Sequence, residues 1–219
     1  NGKKRGDDME RVICLAVGYV CGLLQTGYFY GKIHGIDIRQ HGSGNSGTTN
    51  ALRVMGKKAG LVVFAGDVLK TVIPCLAVRL FMGSRPEYAG TEYLYLLYTG
   101  LGVILGHNFP FYLKFKGGKG IACTAGLIAS LDWRLTLICA AVFLGTVILT
   151  RFVSLGSILV SIAFVIVNIW LANAGKYGLG GEAMPEFRLM RGVIAVMAIW
   201  RHRANIKRLL AGNENKLKL

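Results

Sequence analysis

Three short stretches of the chain concentrate residue types that bind and transfer charged groups. The first reads Gly42-Ser43-Gly44-Asn45-Ser46-Gly47-Thr48-Thr49-Asn50 and runs on to Arg53 and Lys57-Lys58. Glycines let a backbone turn tightly and approach an anion, and the exposed amides then form a nest for phosphate. Hydroxyls and Asn amides add donors, and an Arg grips phosphate with two parallel hydrogen bonds. A flexible linker is the plain alternative, but it leaves two Asn and four hydroxyls in nine residues unexplained. The second stretch reads Gly106-His107-Asn108-Phe109-Pro110, then Lys114-Phe115-Lys116-Gly117-Gly118-Lys119-Gly120. A Gly-Gly-Lys-Gly turn opening into a helix at Ile121–Leu131 aims amides and the helix N-terminus at an anion. It is not a nucleotide P-loop, which requires Gly and Ser/Thr where this chain has Leu113 and Gly120. A basic anchor for lipid headgroups competes for Lys114 and Lys116, but explains the glycines badly. In the third stretch, Trp200 to Leu210, His202 and Asn205 share one helix face. His transfers protons near neutral pH and Asn holds a hydroxyl or carbonyl. Taken alone, this stretch reads more readily as a basic amphipathic helix lying on a membrane.

The elements that must position these stretches are membrane helices. Apolar residues fill 53% of 219 positions and charged residues only 17%, against ~45–50% and ~25% in a typical soluble domain. A helix crossing a ~30 Å hydrocarbon layer needs roughly 20 mostly apolar residues. The apolar runs predict an all-α, polytopic membrane protein. Spans are expected over Val12–Tyr30, Ala59–Met82, Tyr93–Tyr112, Leu135–Thr150 and Val153–Ala172, with a weaker one over Leu189–Trp200. Ile121–Leu131 has 11 residues, roughly 17 Å of helix, and needs shielding or local thinning to cross.

The net charge of +15 would suggest nucleic acid in a soluble protein. Here the bases sit in loops between spans, at about Gly31–Lys58, Lys114–Gly120 and Arg201–Leu219. Such loops face the cytoplasm, where a basic surface attracts anionic lipid and phosphorylated substrates; a nucleic-acid partner is set aside. Counting Ile121–Leu131 as a short crossing gives seven spans. Treating residues 121–150 as one span and Leu189–Trp200 as interfacial gives five. Both keep the three basic loops together and put the N-terminus outside, against the pull of Lys3, Lys4, Arg5 and Arg11. Residues 1–8 precede Met9, a candidate start, and read as a disordered extension or an added remnant; 9–219 read as one membrane-embedded domain. The five cysteines lie in apolar surroundings without C-x-x-C spacing, and no function is assigned to them.

With the three stretches in place, the sequence closely resembles the bacterial acyl-phosphate-dependent glycerol-3-phosphate acyltransferases, a family of integral membrane proteins. The matching residues are Gly42–Asn50 with Arg53 and Gly56–Gly60, Gly106–Pro110 with Lys114–Gly120, Arg151–Ser157, and His202–Lys207 through Glu214-Asn215-Lys216. They run in order from about Gly18 to Lys216. The resemblance implies seven transmembrane helices, one of them short, in the bacterial cytoplasmic membrane, with the active site at the cytoplasmic face. It implies acyl transfer from acyl phosphate to glycerol-3-phosphate, the first step of phospholipid synthesis, with no metal and no coenzyme A. Ser43, Arg53, Lys119, His202 and Asn205 would form the polar active centre. Gly117, Gly118 and Gly120 would bind the glycerol-3-phosphate phosphate, with Gly42, Gly44, Asn45, Thr49, Asn50 and Lys114 as further binding residues. Ser154 and Ser157 would stand near the acyl-phosphate end, and Glu214 would serve structure. The lipid bilayer and the enzyme that makes acyl phosphate are the expected partners besides the two substrates.

Coenzyme A-dependent glycerolipid acyltransferases carry His and Asp five positions apart. Five residues beyond His34, His41, His107 and His202 stand Arg39, Ser46, Tyr112 and Lys207. No G-x-S-x-G nucleophile elbow occurs either, so no covalent acyl-enzyme is expected. The proton acceptor is either His202 or the substrate's own phosphate. A carrier for organic phosphates is the main rival, but carriers place their binding groups near the bilayer midplane, and here the polar residues gather between spans. A membrane scaffold would leave the phosphate loops without use.

Overall fold

A computed structural model describes the backbone of residues 2–217 and the side chains of 8–217. Residues 1, 218 and 219, which the expected extension and domain include, lie outside the described residues. The described chain is all-α: α1 (Gly2–Gly22), α2 (Thr26–Ile33), α3 (Thr48–Gly83), α4 (Glu92–Asn108), α5 (Ile121–Leu131), α6 (Trp133–Thr150), α7 (Val153–Asn173), α8 (Ala183–Arg201) and α9 (Arg203–Leu210). Four segments among the described residues are long and apolar enough to cross a membrane: Asp8–Ile33, Thr48–Gly83, Trp133–Thr150 and Val153–Asn173.

Small residues set the packing. A Cβ on Gly18 of α1 would lie 2.1 Å from the Thr99 carbonyl oxygen, and one on Gly106 of α4 would lie 2.2 Å from that of Tyr19. Gly18 and Gly22 on α1 thus mesh with Gly102 and Gly106 on α4, each pair four residues apart, so the two backbones touch. This contact fixes the end of α4, and with it His107 and Asn108.

Several boundaries differ from those read off hydropathy. The run expected over Val12–Tyr30 breaks at residues 23–25 into α1 and α2. The fully buried Gln25 donates to the Gly106 and His107 carbonyls at 3.4 and 3.0 Å, turning the chain toward α4. Residues 121–150 do not form one long helix. Asp132 is extended (φ −158°), ends α5, and caps α6 by accepting the Arg134 amide at 2.7 Å. The residues from Thr48 to Lys58, expected as the end of the first loop, are instead the start of α3. That helix kinks at Gly56, whose φ of 86° suits only glycine. α4 stops at Asn108 rather than continuing to Tyr112, and α8 is longer than the weak apolar run that announced it.

Candidate active site

The three motif-rich stretches meet around one cavity of about 350 Å³ at the helix ends. Its wall takes in Thr48 and Thr49 from the first turn of α3, Ile121 and Ala122 from that of α5, and Val153 and Ser154 from that of α7. First-turn amides have no partner inside their own helix and carry the positive end of its dipole. Three helix N-termini facing one space make an anion site before any side chain is counted.

All five residues of the expected active centre line this cavity: Ser43, Arg53, Lys119, His202 and Asn205. Of the expected binding residues, Asn45, Thr49, Asn50, Gly120, Ser154 and Ser157 line it as well. Asn50, however, is fully engaged elsewhere. It accepts the Ser43 amide at 2.8 Å and donates to the Ile38 and His41 carbonyls at 3.2 and 3.0 Å, so it shapes the first loop. Gly42 packs on that same amide.

Gly117 and Gly118 are not on the cavity wall, and their amides are already used. Gly117 N–H donates to the Asn108 carbonyl and Gly118 N–H to that of His107, both at 3.1 Å. They are glycine for space: a Cβ at Gly117 would lie 2.0 Å from the His107 carbonyl, and one at Gly118 would lie 2.0 Å from His107 Nε2. Arg201 Nη2 holds the carbonyls of both from behind, at 2.9 and 2.6 Å. The amides left free for an anion are therefore one step on, at Lys119, Gly120 and Ile121. Lys114 is exposed and Gly44 faces outward; neither lines this cavity. Gly44 and Gly117 border a second hollow of about 420 Å³ with Asp37, Arg39, Lys116 and Arg201.

The electrostatics favour a multiply charged anion. Among the described residues two carboxylates line the cavity, and each has its own cation: Asp67 pairs with Lys70 at 2.8 Å and Glu214 with Arg208 at 2.7 Å. Arg53 has neither hydrogen-bond nor carboxylate partner among the described residues, and Lys119 Nζ donates only to Asn205 Oδ1. Burial, with Arg208, Arg201 and Arg53 nearby, pushes the Lys119 ammonium down to about 8 despite Glu214. Glu214 Oε1 in turn accepts from Asn205 Nδ2 at 2.8 Å and Ser154 at 3.1 Å, so the tail orients the amide that meets Lys119. Burial raises the Glu214 carboxyl, but hydrogen bonds from Arg208, Asn205 and Ser154 outweigh it and hold the group below its ordinary value.

His202 Nδ1 lies 2.8 Å from the Ala198 carbonyl, which can only accept. The proton therefore sits on Nδ1 and the Nε2 lone pair is left free. Burial and the Lys119 charge push the imidazole down to about 4, so the ring is neutral at physiological pH. Opposite the polar groups, Leu52, Phe64, Phe143, Leu144 and Val147 make the cavity apolar on one side. Phe64 and Leu144 are exposed on the helix surface, which opens that side toward lipid. Asp67, His107, Arg208 and Glu214 are wall residues that motif reading assigned no role at the substrate. For Asp67 the signal was there: an acid three residues before Lys70, inside an otherwise apolar span.

The helical bundle thus holds a cationic cavity at its helix ends with one apolar side. The sequence model described as glycerol-3-phosphate acyltransferase matches residues 12–212. The glycerol-3-phosphate acyltransferase of Thermoanaerobacter sp. (strain X514) is 41% identical over 210 residues, covering 95% of this chain and 96% of that one. That of Staphylococcus haemolyticus (strain JCSC1435) is 36% identical over 211 residues, covering 96% and 99%. The crystal structure of PlsY (YgiH), an integral membrane glycerol 3-phosphate acyltransferase, in its glycerol 3-phosphate form superposes with a TM-score of 0.81 at 35% identity over 95% of this chain and 96% of that one. Its lysophosphatidic acid form gives 0.79 at 35% identity, covering 95% of each. The chain belongs to the glycerol-3-phosphate acyltransferase family.

Proposed function

We propose that the protein transfers an acyl group from acyl phosphate to the 1-hydroxyl of glycerol-3-phosphate, giving lysophosphatidic acid and inorganic phosphate. The observation that carries this reading is the cavity itself: helix N-termini, Arg53 and Lys119 on one side, an apolar wall open to lipid on the other. Two phosphate-bearing substrates suit the first and an acyl chain the second. In the reaction the hydroxyl oxygen attacks the acyl carbonyl, the bond from that carbon to the bridging oxygen breaks, and phosphate leaves with both electrons. The hydroxyl proton ends on the departing phosphate. No covalent acyl-enzyme is formed. Phosphate is a good leaving group, so positioning and charge stabilisation supply most of the rate.

The free Nε2 of His202 is set to accept the hydroxyl hydrogen and orient the oxygen. With its titration moved to about 4, the ring is a weaker base than a phosphate, whose second proton titrates near ~6. The substrate phosphate is accordingly the final proton acceptor. We further read α1, α3, α4, α5, α6, α7 and α8 as seven crossings of the bacterial cytoplasmic membrane. Alternating crossings bring the ends that line the cavity to one face, and the excess of basic residues there favours the cytoplasmic side. Acyl phosphate comes from the enzyme that makes it.

The test is purified protein in detergent or lipid with palmitoyl phosphate and glycerol-3-phosphate, following phosphate release and lysophosphatidic acid. Palmitoyl-coenzyme A is expected to give no product, and Arg53→Ala to lower kcat/KM by about 100-fold, the scale of losing a charge-assisted contact. A folded wild-type preparation without product from acyl phosphate sinks the assignment and makes phosphate transport the next reading. The same assay across pH checks Lys119. Its ammonium is charged below its titration point, so kcat/KM for glycerol-3-phosphate should fall as pH rises through about 8. Lys119→Arg, permanently charged, should lose that alkaline limb whatever its absolute rate.

A further inference from the structure

Beneath the loop at residues 117–119 lies a buried polar cluster that the chemistry above leaves unused. Asp67 and Lys70 face each other one turn apart in α3 and are 1% and 6% exposed. Lys70 Nζ lies 2.8 Å from Asp67 Oδ1, 2.6 Å from the Leu24 carbonyl oxygen and 2.8 Å from His107 Nδ1. Three acceptors thus meet the three N–H groups of one ammonium. Asp67 Oδ1 also accepts the Thr26 hydroxyl at 3.1 Å. Asp67, His107 and Cys123 come close enough together to suggest a metal site, but the ammonium already bridges carboxylate and imidazole. Lys70 is the cation of this cluster.

An ammonium has no lone pair with which to accept. His107 Nδ1 must therefore be the acceptor, and the imidazole proton sits on Nε2. That is the reverse of His202, which carries its proton on Nδ1. His107 is 3% exposed and lines the cavity, yet Nε2 has no hydrogen-bond partner among the described residues. It stands directly under the loop, where a Cβ on Gly118 would come within 2.0 Å of it. Ring donors of buried histidines are nearly always paired, and His107 lines the same cavity as Lys119 and Gly120.

We propose that His107 Nε2–H donates to a phosphoryl oxygen of a bound substrate, and that Asp67 and Lys70 are positioning residues that fix its tautomer. This rests on the acyl-transfer reading for the identity of the substrates but not for the existence of the anion site. It also gives a reason for a charged pair inside a membrane helix, where such groups are costly and mark function.

The experiment uses full-length protein with 15N-labelled histidine in detergent, with His107 assigned by replacing His34, His41 and His202 in turn. The expected spectrum is a neutral ring protonated at Nε2, whose signal moves when glycerol-3-phosphate or palmitoyl phosphate is added. Adding each alone identifies whose phosphate the donor meets. His107→Leu is expected to raise KM for that substrate about 10- to 100-fold, with His107→Gln, which retains an N–H, nearer wild type. The paired change Asp67→Asn with Lys70→Met keeps the net charge and should spread the proton over both ring nitrogens while raising the same KM. A wild-type ring protonated at Nδ1, or an Nε2 signal that neither ligand moves, overturns the proposal without any variant having to fold. A responding Nε2 in a protein that transfers no acyl group sustains the donor and sinks the reaction; an active protein with a silent Nε2 does the reverse.

Discussion

Lys119→Ala is expected to lower kcat/KM for acyl transfer by about 1,000-fold, the upper range for removing one preorganised charge-stabilising donor. The argument rests on how charge is distributed around the cavity. Lys70 and Arg208 are already neutralised by Asp67 and Glu214, so among the described residues Arg53 and Lys119 meet incoming phosphate with charge to spare. Arg53 is exposed, and water screens it. Lys119 is half-buried at the N-terminus of α5, with its ammonium held on Asn205. At ~4 Å, two unit charges interact by ~1 kcal/mol in water but ~4 kcal/mol at the effective dielectric of a protein site. The difference, ~3 kcal/mol, separates the expected losses at the two cations by roughly a factor of 100 at most; the binding contribution they share brings them closer. Lys119→Arg should recover little rate, because a planar guanidinium cannot occupy a point-charge position against the Asn205 amide. Phosphate release under saturating acyl phosphate measures this. A Lys119→Ala rate within tenfold of wild type would move the charge stabilisation to Arg53 and the helix amides.

Hydropathy made most helices legible, because a span must be apolar for about the thickness of the membrane. It failed where a polar side chain serves the interior. Gln25 sits in the run expected over Val12–Tyr30, and its reach to α4 carbonyls, invisible in one sequence, splits that run in two. Thr48 and Thr49 read as loop because their neighbours are glycines and hydroxyls, yet those residue types also begin helices. The glycines at 117 and 118 pack against His107. Composition signals that a backbone must come close to something, not whether that something is a phosphate or the His107 ring. Residues with chemistry in their side chains are legible by type: Ser43, Arg53, Lys119, His202 and Asn205 stand more than 150 positions apart at the extremes and share one cavity. What no spacing could reveal is which polar groups neutralise one another, and that decides where the site's net charge lies.

Glu214→Ala should show how far that charge arrangement depends on the tail. The Glu214 side chain is 6% exposed and accepts from Arg208 at 2.7 Å, Asn205 at 2.8 Å and Ser154 at 3.1 Å, tying the tail to α9 and α7. Removing one partner of a buried ion pair costs about 3–5 kcal/mol, since the other charge is left uncompensated. Arg208 is one-third exposed and can turn to water, so the lower end, about 3 kcal/mol, is expected. Thermal unfolding in detergent should drop accordingly. Activity should fall as well, because Asn205 loses the acceptor that turns its oxygen toward Lys119. Glu214→Gln keeps an acceptor for Asn205 but no charge for Arg208, so it should recover more activity than stability. The pH dependence has a definite sign. A carboxyl held below its ordinary value stabilises the fold at neutral pH, and that contribution is lost as pH falls through its folded titration point. The wild type should therefore lose thermal stability in acid more steeply than Glu214→Gln. If the two unfold in parallel down to the acid limit, Glu214 is a spectator of the fold, and the orientation of Asn205 must come from Lys119 alone.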